Sequence, residues 1–162
     1  MKEARMSTKK NNSDYHTRLC RLVAKDVLSG TLGWNVPKCQ YITVELHTAS
    51  QEQPDVFGWN FWSSVLVEVK VSRADFLKDL RKPFRVKPED GAGEFRYFCC
   101  PTGLIKEEEL PAKWGLLYEF EGVVRLIKEA ERQRFNFATE RTIMTSVMRR
   151  EGVKSEIYDY RQ

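Results

Sequence analysis

Histidine is scarce in this 162-residue sequence, which contains only His16 and His47. Cysteine is also limited to four residues, and none of them forms a C-x-x-C pair, so their spacing argues against a structural zinc site. No local context around a cysteine supports a Cys–His nucleophile. Buried free thiols are the expected role of these residues. The four cysteines are Cys20, Cys39, Cys99 and Cys100.

Long apolar runs are absent as well. No segment approaches the roughly 20 apolar residues that a helix needs to span a membrane. The first six residues, Met-Lys-Glu-Ala-Arg-Met, lack the apolar core of a signal peptide, so we expect a cytoplasmic protein. A hydrophobic content of 41% with 31% charged residues is ordinary for a globular chain. The net charge of +4 is mildly basic, which suits a nucleic-acid partner but also many other enzymes.

The chain divides into a tail, one domain and a second tail. Residues 1–13 are polar and basic and are predicted to be disordered. Residues 14–151 are predicted to form a single domain, and residues 152–162 a C-terminal tail. Periodicity and turn residues predict the following elements: a helix over 15–28, a strand over 40–47, a hairpin over 54–71, a helix over 72–82, a loop over 83–94, a strand over 95–100, a hairpin over 114–128 and a helix over 138–150.

The hairpin over 54–71 carries the most informative pattern. Its second strand, Val-Leu-Val-Glu-Val-Lys, alternates so that three valines share one face, while Leu66, Glu68 and Lys70 share the other. A tip near residues 60–63 pairs Phe57 with Leu66. The same register places Asp55 opposite Glu68.

Two carboxylates that face each other repel, so the pair needs a cation or a counter-charge. Hard divalent ions such as Mg²⁺ prefer oxygen ligands of this kind. Lys70, two residues beyond Glu68 on the same face, can meet an anionic substrate or activate a water. The simpler alternatives are that Asp55 caps a turn after Pro54, and that Glu68 and Lys70 belong to a solvated strand face.

The residues Pro54-Asp55 and Glu68-Val69-Lys70, followed by a capped helix, resemble the PD-(D/E)XK nuclease superfamily. The run Glu-Val-Lys-Val-Ser-Arg-Ala-Asp-Phe resembles its small stand-alone DNA-repair (MmcB-like) branch, and the resemblance covers roughly residues 15–127. It implies an α/β fold with a restriction-endonuclease-like α-β-β-β-α-β core, in which helices flank a mixed sheet.

The resemblance also implies a function, namely metal-dependent hydrolysis of phosphodiester bonds in DNA, in the context of DNA repair. Asp55, Glu68 and the backbone carbonyl of Val69 are then the expected ligands of Mg²⁺ or Mn²⁺, and Lys70 orients the attacking water or stabilises the oxyanion. Glu45 on the neighbouring strand is either a further acid of the site or simply exposed. The family often carries another acid in the first helix, but the acids of that helix fit the role poorly. They are Asp14 and Asp26.

Basic residues cluster after the motif, and Arg73, Arg81 and Lys82 are the predicted contacts to DNA phosphates. A solvated helix face is the alternative explanation for this charge. Trp59 and Trp62 at the hairpin tip could stack on bases, or pack on the core or a neighbouring subunit. Two alternatives to the DNA nuclease stay open, a non-catalytic DNA-binding or assembly module of the same fold and a nuclease that acts on RNA.

Overall fold

A mixed six-stranded sheet lies at the centre of the structure, a computed structural model that describes residues 2–33 and 36–153. The strands stand in the sheet in the order in which they occur in the chain. The third strand pairs in parallel with the fourth and the fourth with the fifth, while the other pairs are antiparallel. The strands are β1 Tyr41–Val44, β2 Val56–Trp59, β3 Ser64–Val69, β4 Phe95–Pro101, β5 Gly115–Phe120 and β6 Val123–Lys128.

Helices cover both faces of this sheet, which confirms the predicted α/β class. The helices are α1 Lys2–Ser29, α2 Arg73–Asp79, α3 Pro83–Val86 and α4 Phe137–Arg150. On one face, the apolar stripe of α1 packs in a core cluster with the valines of β3. On the other face, Phe76 of α2 and Ile143 of α4 pack in a second cluster around Leu66 and Phe98. The helix, three strands, helix and strand of the expected core therefore follow in the expected order.

The predicted register of the first hairpin is confirmed. Phe57 pairs with Leu66, and the Asn60 N–H donates to the Ser63 carbonyl across the tip. Every residue of β3 is buried, because helices lie on both faces of the sheet. The alternation therefore separates two cores. It does not separate a core from solvent. The alternative prediction, in which Glu68 lies on a solvated strand face, is therefore wrong.

The strand predicted over 40–47 is shorter than expected because it ends at Val44. Glu45 follows with a φ of 48°, a left-handed conformation that breaks the pleat. Leu46 consequently packs in the core cluster opposite to the one that receives Ile42 and Val44.

Two predictions about irregular segments are wrong. The segment 1–13 is helical from Lys2 onward, since Lys, Glu, Ala, Arg and Met are all good helix formers that extend α1. The segment 83–94 contains α3 and a short 3₁₀ turn, because a proline at the first position of a helix favours its start and Pro83 occupies that position in α3. Most of the predicted C-terminal tail, residues 154–162, lies outside the described residues.

Helix α2 is shorter than the predicted 72–82, because it ends at Asp79. Ser72 caps it as predicted, accepting a hydrogen bond from the Asp75 N–H. Leu77 is 47% exposed, whereas Asp79 is buried beside Phe76. The helix thus turns a carboxylate toward the sheet.

The composition-based expectation for cysteine is confirmed, since all four cysteines are buried free thiols. Within residues 2–33 and 36–153, no helix combines the length and apolarity that crossing a bilayer requires.

Candidate active site at the open end of the hairpin

The hairpin of β2 and β3 brings together the three residues that the sequence singled out. Asp55 directly precedes β2, Glu68 lies near the end of β3, and Lys70 follows β3. The Lys70 Nζ lies 2.7 Å from Glu68 Oε2 and 3.5 Å from Asp55 Oδ2. The Val69 N–H, in turn, donates to Asp55 Oδ2 at 2.8 Å, which fixes this carboxylate at the end of the sheet.

Asp79 and Arg85 complete the site, and the sequence analysis did not assign either of them to it. Asp79 Oδ2 lies 3.2 Å from Lys70 Nζ. Arg85 donates from Nε to Asp79 Oδ1 at 2.7 Å, and its Nη2 lies 3.1 Å from Glu68 Oε1. The spacing of Asp79 three residues after Phe76 could have placed it on the buried face of α2. Arg85 had no such signal, because its segment was predicted to be a loop.

Arg85 is anchored by one further acid. Its Nη1 donates to Glu52 Oε1 at 2.6 Å, and Glu52 Oε2 accepts the Ala92 N–H at 2.5 Å. The guanidinium also lies 4.7 Å from the ring centroid of Trp114. The Lys70 cluster, as we call this ion network, consists of Glu52, Asp55, Glu68, Lys70, Asp79, Lys82 and Arg85.

Burial and neighbouring charges act in opposite directions on the pKa values of the cluster. It raises the pKa of Glu68, although Lys70 and Arg85 oppose this effect. Burial would lower the pKa of Lys70, but Glu68, Asp55 and Asp79 together hold that pKa above its ordinary value. The pKa of Asp55 is lowered, because the hydrogen bond from His16 and the charge of Lys70 outweigh its burial. The three surrounding carboxylates therefore hold Lys70 as an ammonium.

The donor set of the cluster fits a hard divalent cation. Carboxylate oxygens of Asp55, Glu68 and Asp79, which come from three different segments, all lie within 3.5 Å of the Lys70 ammonium. Glu68 Oε1 is buried and accepts no hydrogen bond, and its one close neighbour among the cations of the cluster is Arg85 Nη2 at 3.1 Å. Convergent carboxylates with spare acceptor capacity are the ligands that Mg²⁺ and Mn²⁺ prefer.

The three predicted phosphate contacts do not share one environment. Arg73 forms a two-point ion pair with Glu109, at 2.8 and 2.6 Å, and this pair holds it away from the Lys70 cluster. Lys82 joins the cluster, with its Nζ 2.5 Å from Asp79 Oδ2 and 3.6 Å from Glu68 Oε2. Arg81 is exposed.

Glu45, the possible additional acid, faces α1 and not Lys70. Its Oε1 lies 3.2 Å from His16 Nδ1, and His16 Nε2 lies 3.5 Å from Asp55 Oδ2. The pKa of His16 is raised, first by the hydrogen bond to Asp55 and then by the charges of Asp55 and Glu45, against burial. The residue of the first helix that contacts Asp55 is thus a histidine, whereas the resemblance implied an acid in that helix. Its spacing of one helical turn from buried Cys20 was the available signal.

The two tryptophans of the hairpin tip have different surroundings. Trp59 stacks on Tyr41 with ring centroids 5.4 Å apart. Trp62, by contrast, is 84% exposed, beside Phe61 at 79%. The tip therefore presents two aromatic rings to the surroundings.

Comparison with known proteins gives a fold and no function. No family model matches the chain, and no curated protein matches it. Among solved structures, the chain is similar to the SPO1766 protein of unknown function from Silicibacter pomeroyi, with a TM-score of 0.51 and 22% sequence identity. The match covers 73% of this chain and 84% of that chain, and at this identity it concerns the fold alone.

Proposed function

We propose that the protein is a metal-dependent nuclease that hydrolyses phosphodiester bonds in DNA. The observation that carries this proposal is the convergence of Asp55, Glu68 and Asp79 on the Lys70 ammonium at one end of the sheet. The similarity of the motif to PD-(D/E)XK nucleases supports the same chemistry. Asp55 and Glu68, with the Val69 carbonyl, are the proposed ligands of Mg²⁺ or Mn²⁺.

When bound, the cation would supply a water of lowered pKa and charge neutralisation at the phosphate. Lys70 stabilises the negative charge that develops on the phosphate oxygens, because its ammonium is held charged by its neighbours. Asp55 is kept in position by the Val69 N–H, and Arg85 holds Asp79 and Glu68 in place. These residues are therefore positioned before the substrate arrives.

The test is cleavage of supercoiled plasmid DNA in Mg²⁺, compared with the same reaction in EDTA. Lys70→Met keeps much of the side-chain volume and removes the charge, and Asp55→Asn removes a ligand charge. We expect each change to lower the cleavage rate about 10²-fold or more, the scale seen when one group that stabilises the transition state is removed. Lys78→Met, at an exposed position of α2, is the matched control and should cleave normally.

Circular dichroism melting of each variant separates loss of chemistry from loss of fold. If folded Lys70→Met cleaved DNA at the wild-type rate, Lys70 would have no role in the mechanism. A labelled RNA transcribed from the same plasmid and incubated under the same conditions decides whether RNA is the substrate instead.

A second candidate function is a non-catalytic DNA-binding or assembly module of the same fold. The observation that favours it is that each carboxylate near Lys70 already contacts a protein cation, so none of these carboxylates needs a metal as its counter-charge. This alternative predicts DNA binding that is equal in Mg²⁺ and EDTA, with no cleavage in either.

A further inference from the structure

A second group of ligand-type side chains lies on the α1 side of the sheet. His16 and Cys20 are one turn apart on α1, and Glu45 follows β1. His16 Nδ1 is 3.2 Å from Glu45 Oε1 and 3.6 Å from Cys20 Sγ. One potential ligand atom from each residue lies within 4.8 Å of the other two.

The two His16 distances, 3.2 and 3.6 Å, are close to the separations between ligand atoms around a tetrahedral zinc ion. Bonds of 2.0–2.3 Å in tetrahedral geometry place neighbouring ligand atoms roughly 3.3–3.8 Å apart. We propose that His16 Nδ1, Cys20 Sγ and the Glu45 carboxylate bind a divalent cation of the Zn²⁺ class, at a site distinct from the Lys70 cluster. Imidazole and thiolate ligands suit zinc, whereas Mg²⁺ prefers oxygen ligands.

The groups around these three residues have the arrangement that orients metal ligands in proteins. With Nδ1 on the cation, the opposite nitrogen of His16 points to Asp55 Oδ2 at 3.5 Å, as in carboxylate–histidine–zinc triads. The Thr17 hydroxyl donates to Glu45 Oε2 at 3.1 Å, so the ligating carboxylate is also held in place.

The backbone contributes to the same arrangement. Glu45 adopts a φ of 48°, which a non-glycine residue rarely adopts, and from this position its carboxylate reaches α1. Cys20 is fully buried at the base of the site. Binding of the cation replaces the proton of the Cys20 thiol, which is released to solvent. Three protein ligands leave the fourth position to a water.

The experiment uses the full chain with Co²⁺ as the probe, because a cobalt–thiolate bond gives a near-ultraviolet charge-transfer absorption that oxygen and nitrogen ligands do not give. We expect this absorption to saturate at one equivalent of Co²⁺ and to disappear when Zn²⁺ is added. It should be lost in Cys20→Ser and retained in Cys39→Ser, the matched control, whose thiol is buried near the Pro37 carbonyl instead.

The affinity for Co²⁺ gives a second readout, measured in a variant of a ligand and in a variant of the residue that holds that ligand in place. Glu45→Gln should weaken Co²⁺ binding, and Thr17→Val should weaken it about tenfold, the lower end of what loss of an outer-shell partner costs. If Cys20→Ser does not fold, these two titrations decide, and unchanged affinity in both overturns the proposal.

Two results overturn the site directly, namely no thiolate absorption in the wild type at saturating Co²⁺ and its persistence in folded Cys20→Ser. Glu68→Gln separates this proposal from the nuclease proposal. It should abolish cleavage while the cobalt absorption persists. If no form of the protein cleaves DNA, the cobalt absorption still tests the His16 site. If no cobalt absorption is seen, the cleavage assay still tests the nuclease proposal.

Discussion

At the scale of single residues, Glu68 illustrates how burial decides the meaning of a charge. Its side chain is 1% exposed and lies between Lys70 Nζ at 2.7 Å and Arg85 Nη2 at 3.1 Å. The sequence suggested repulsion between Glu68 and Asp55 as the dominant force. In the folded protein, Glu68 instead contacts two buried cations, whose attraction offsets this repulsion.

We therefore expect Glu68→Gln to destabilise the metal-free protein, by up to about 3–5 kcal/mol, because the uncompensated charges left on buried Lys70 and Arg85 cost more than is gained by no longer burying the Glu68 carboxylate, the burial that raises its pKa. Urea denaturation of the wild type and the variant measures this difference. Glu109→Gln is the control, since its ion pair with Arg73 is exposed and the change should have little effect. A higher urea midpoint for Glu68→Gln would instead mean that repulsion from Asp55 dominates.

At the scale of elements, one buried carboxylate of α4 accepts hydrogen bonds from β3 and from the loop that precedes β4. Glu140 Oε1 accepts hydrogen bonds from Ser64 Oγ at 2.6 Å and from the Gly93 N–H at 2.8 Å. Burial raises the pKa of Glu140 despite these two hydrogen bonds, which lower it. The folded state therefore binds the proton of Glu140 more tightly than the unfolded chain does.

The sign of the pH dependence follows from that raised pKa. As pH rises from the unfolded pKa to the folded pKa, the contribution of Glu140 to stability falls. Glu140→Gln keeps an oxygen acceptor for both donors and removes the titration. We expect the stability of this variant relative to the wild type to increase across that pH range, in urea denaturation at several pH values. A difference that is constant with pH would show that Glu140 does not titrate there.

The contact between β4 and β5 is as tight as the backbone allows. A Cβ placed on Gly115 would lie 2.3 Å from the Tyr97 ring and 2.7 Å from the Lys128 carbonyl oxygen. Gly115→Ala should therefore cost about 1–3 kcal/mol, the range for overpacking a core. Thermal melting measures the loss, and equal melting temperatures for variant and wild type would contradict the tight contact.

Local patterns account for the elements that the sequence predicted correctly. The hairpin register follows from alternation and a short tip, and this register alone brings Asp55, Glu68 and Lys70 together. The rest of the Lys70 cluster depends on tertiary placement. Arg85 reaches it because α3 begins at Pro83 within a segment that reads as a loop, and Glu52 reaches it from a polar connection.

At the scale of the whole molecule, the net charge is +4, and the basic side chains that contribute to it differ in whether a carboxylate already pairs with them. Arg81 is exposed on the surface, whereas the guanidinium of Arg73 is bound by Glu109. Exposed cations release counterions from DNA phosphates, and a cation already paired with a carboxylate contributes less.

Arg81→Ala should therefore reduce the slope of log affinity against log salt by about one phosphate contact, roughly 0.9. Arg73→Ala, with the same change of charge, should leave that slope nearly unchanged. Titration of one labelled duplex at several salt concentrations compares the two variants. Equal slopes for Arg81→Ala and the wild type would exclude this part of the surface from DNA contact.

The sequential order of the strands bears on how the protein forms during its synthesis. Each strand pairs with the strand made just before it, so the sheet can grow at one edge as the chain leaves the ribosome. The longest connection between neighbouring strands runs from β3 to β4 through α2 and α3. Closing this connection therefore costs more conformational entropy than closing any other connection of the sheet. All residues of the Lys70 cluster lie between Glu52 and Arg85. The nascent chain can therefore bring the residues of the cluster together while β5, β6 and α4 are still being translated.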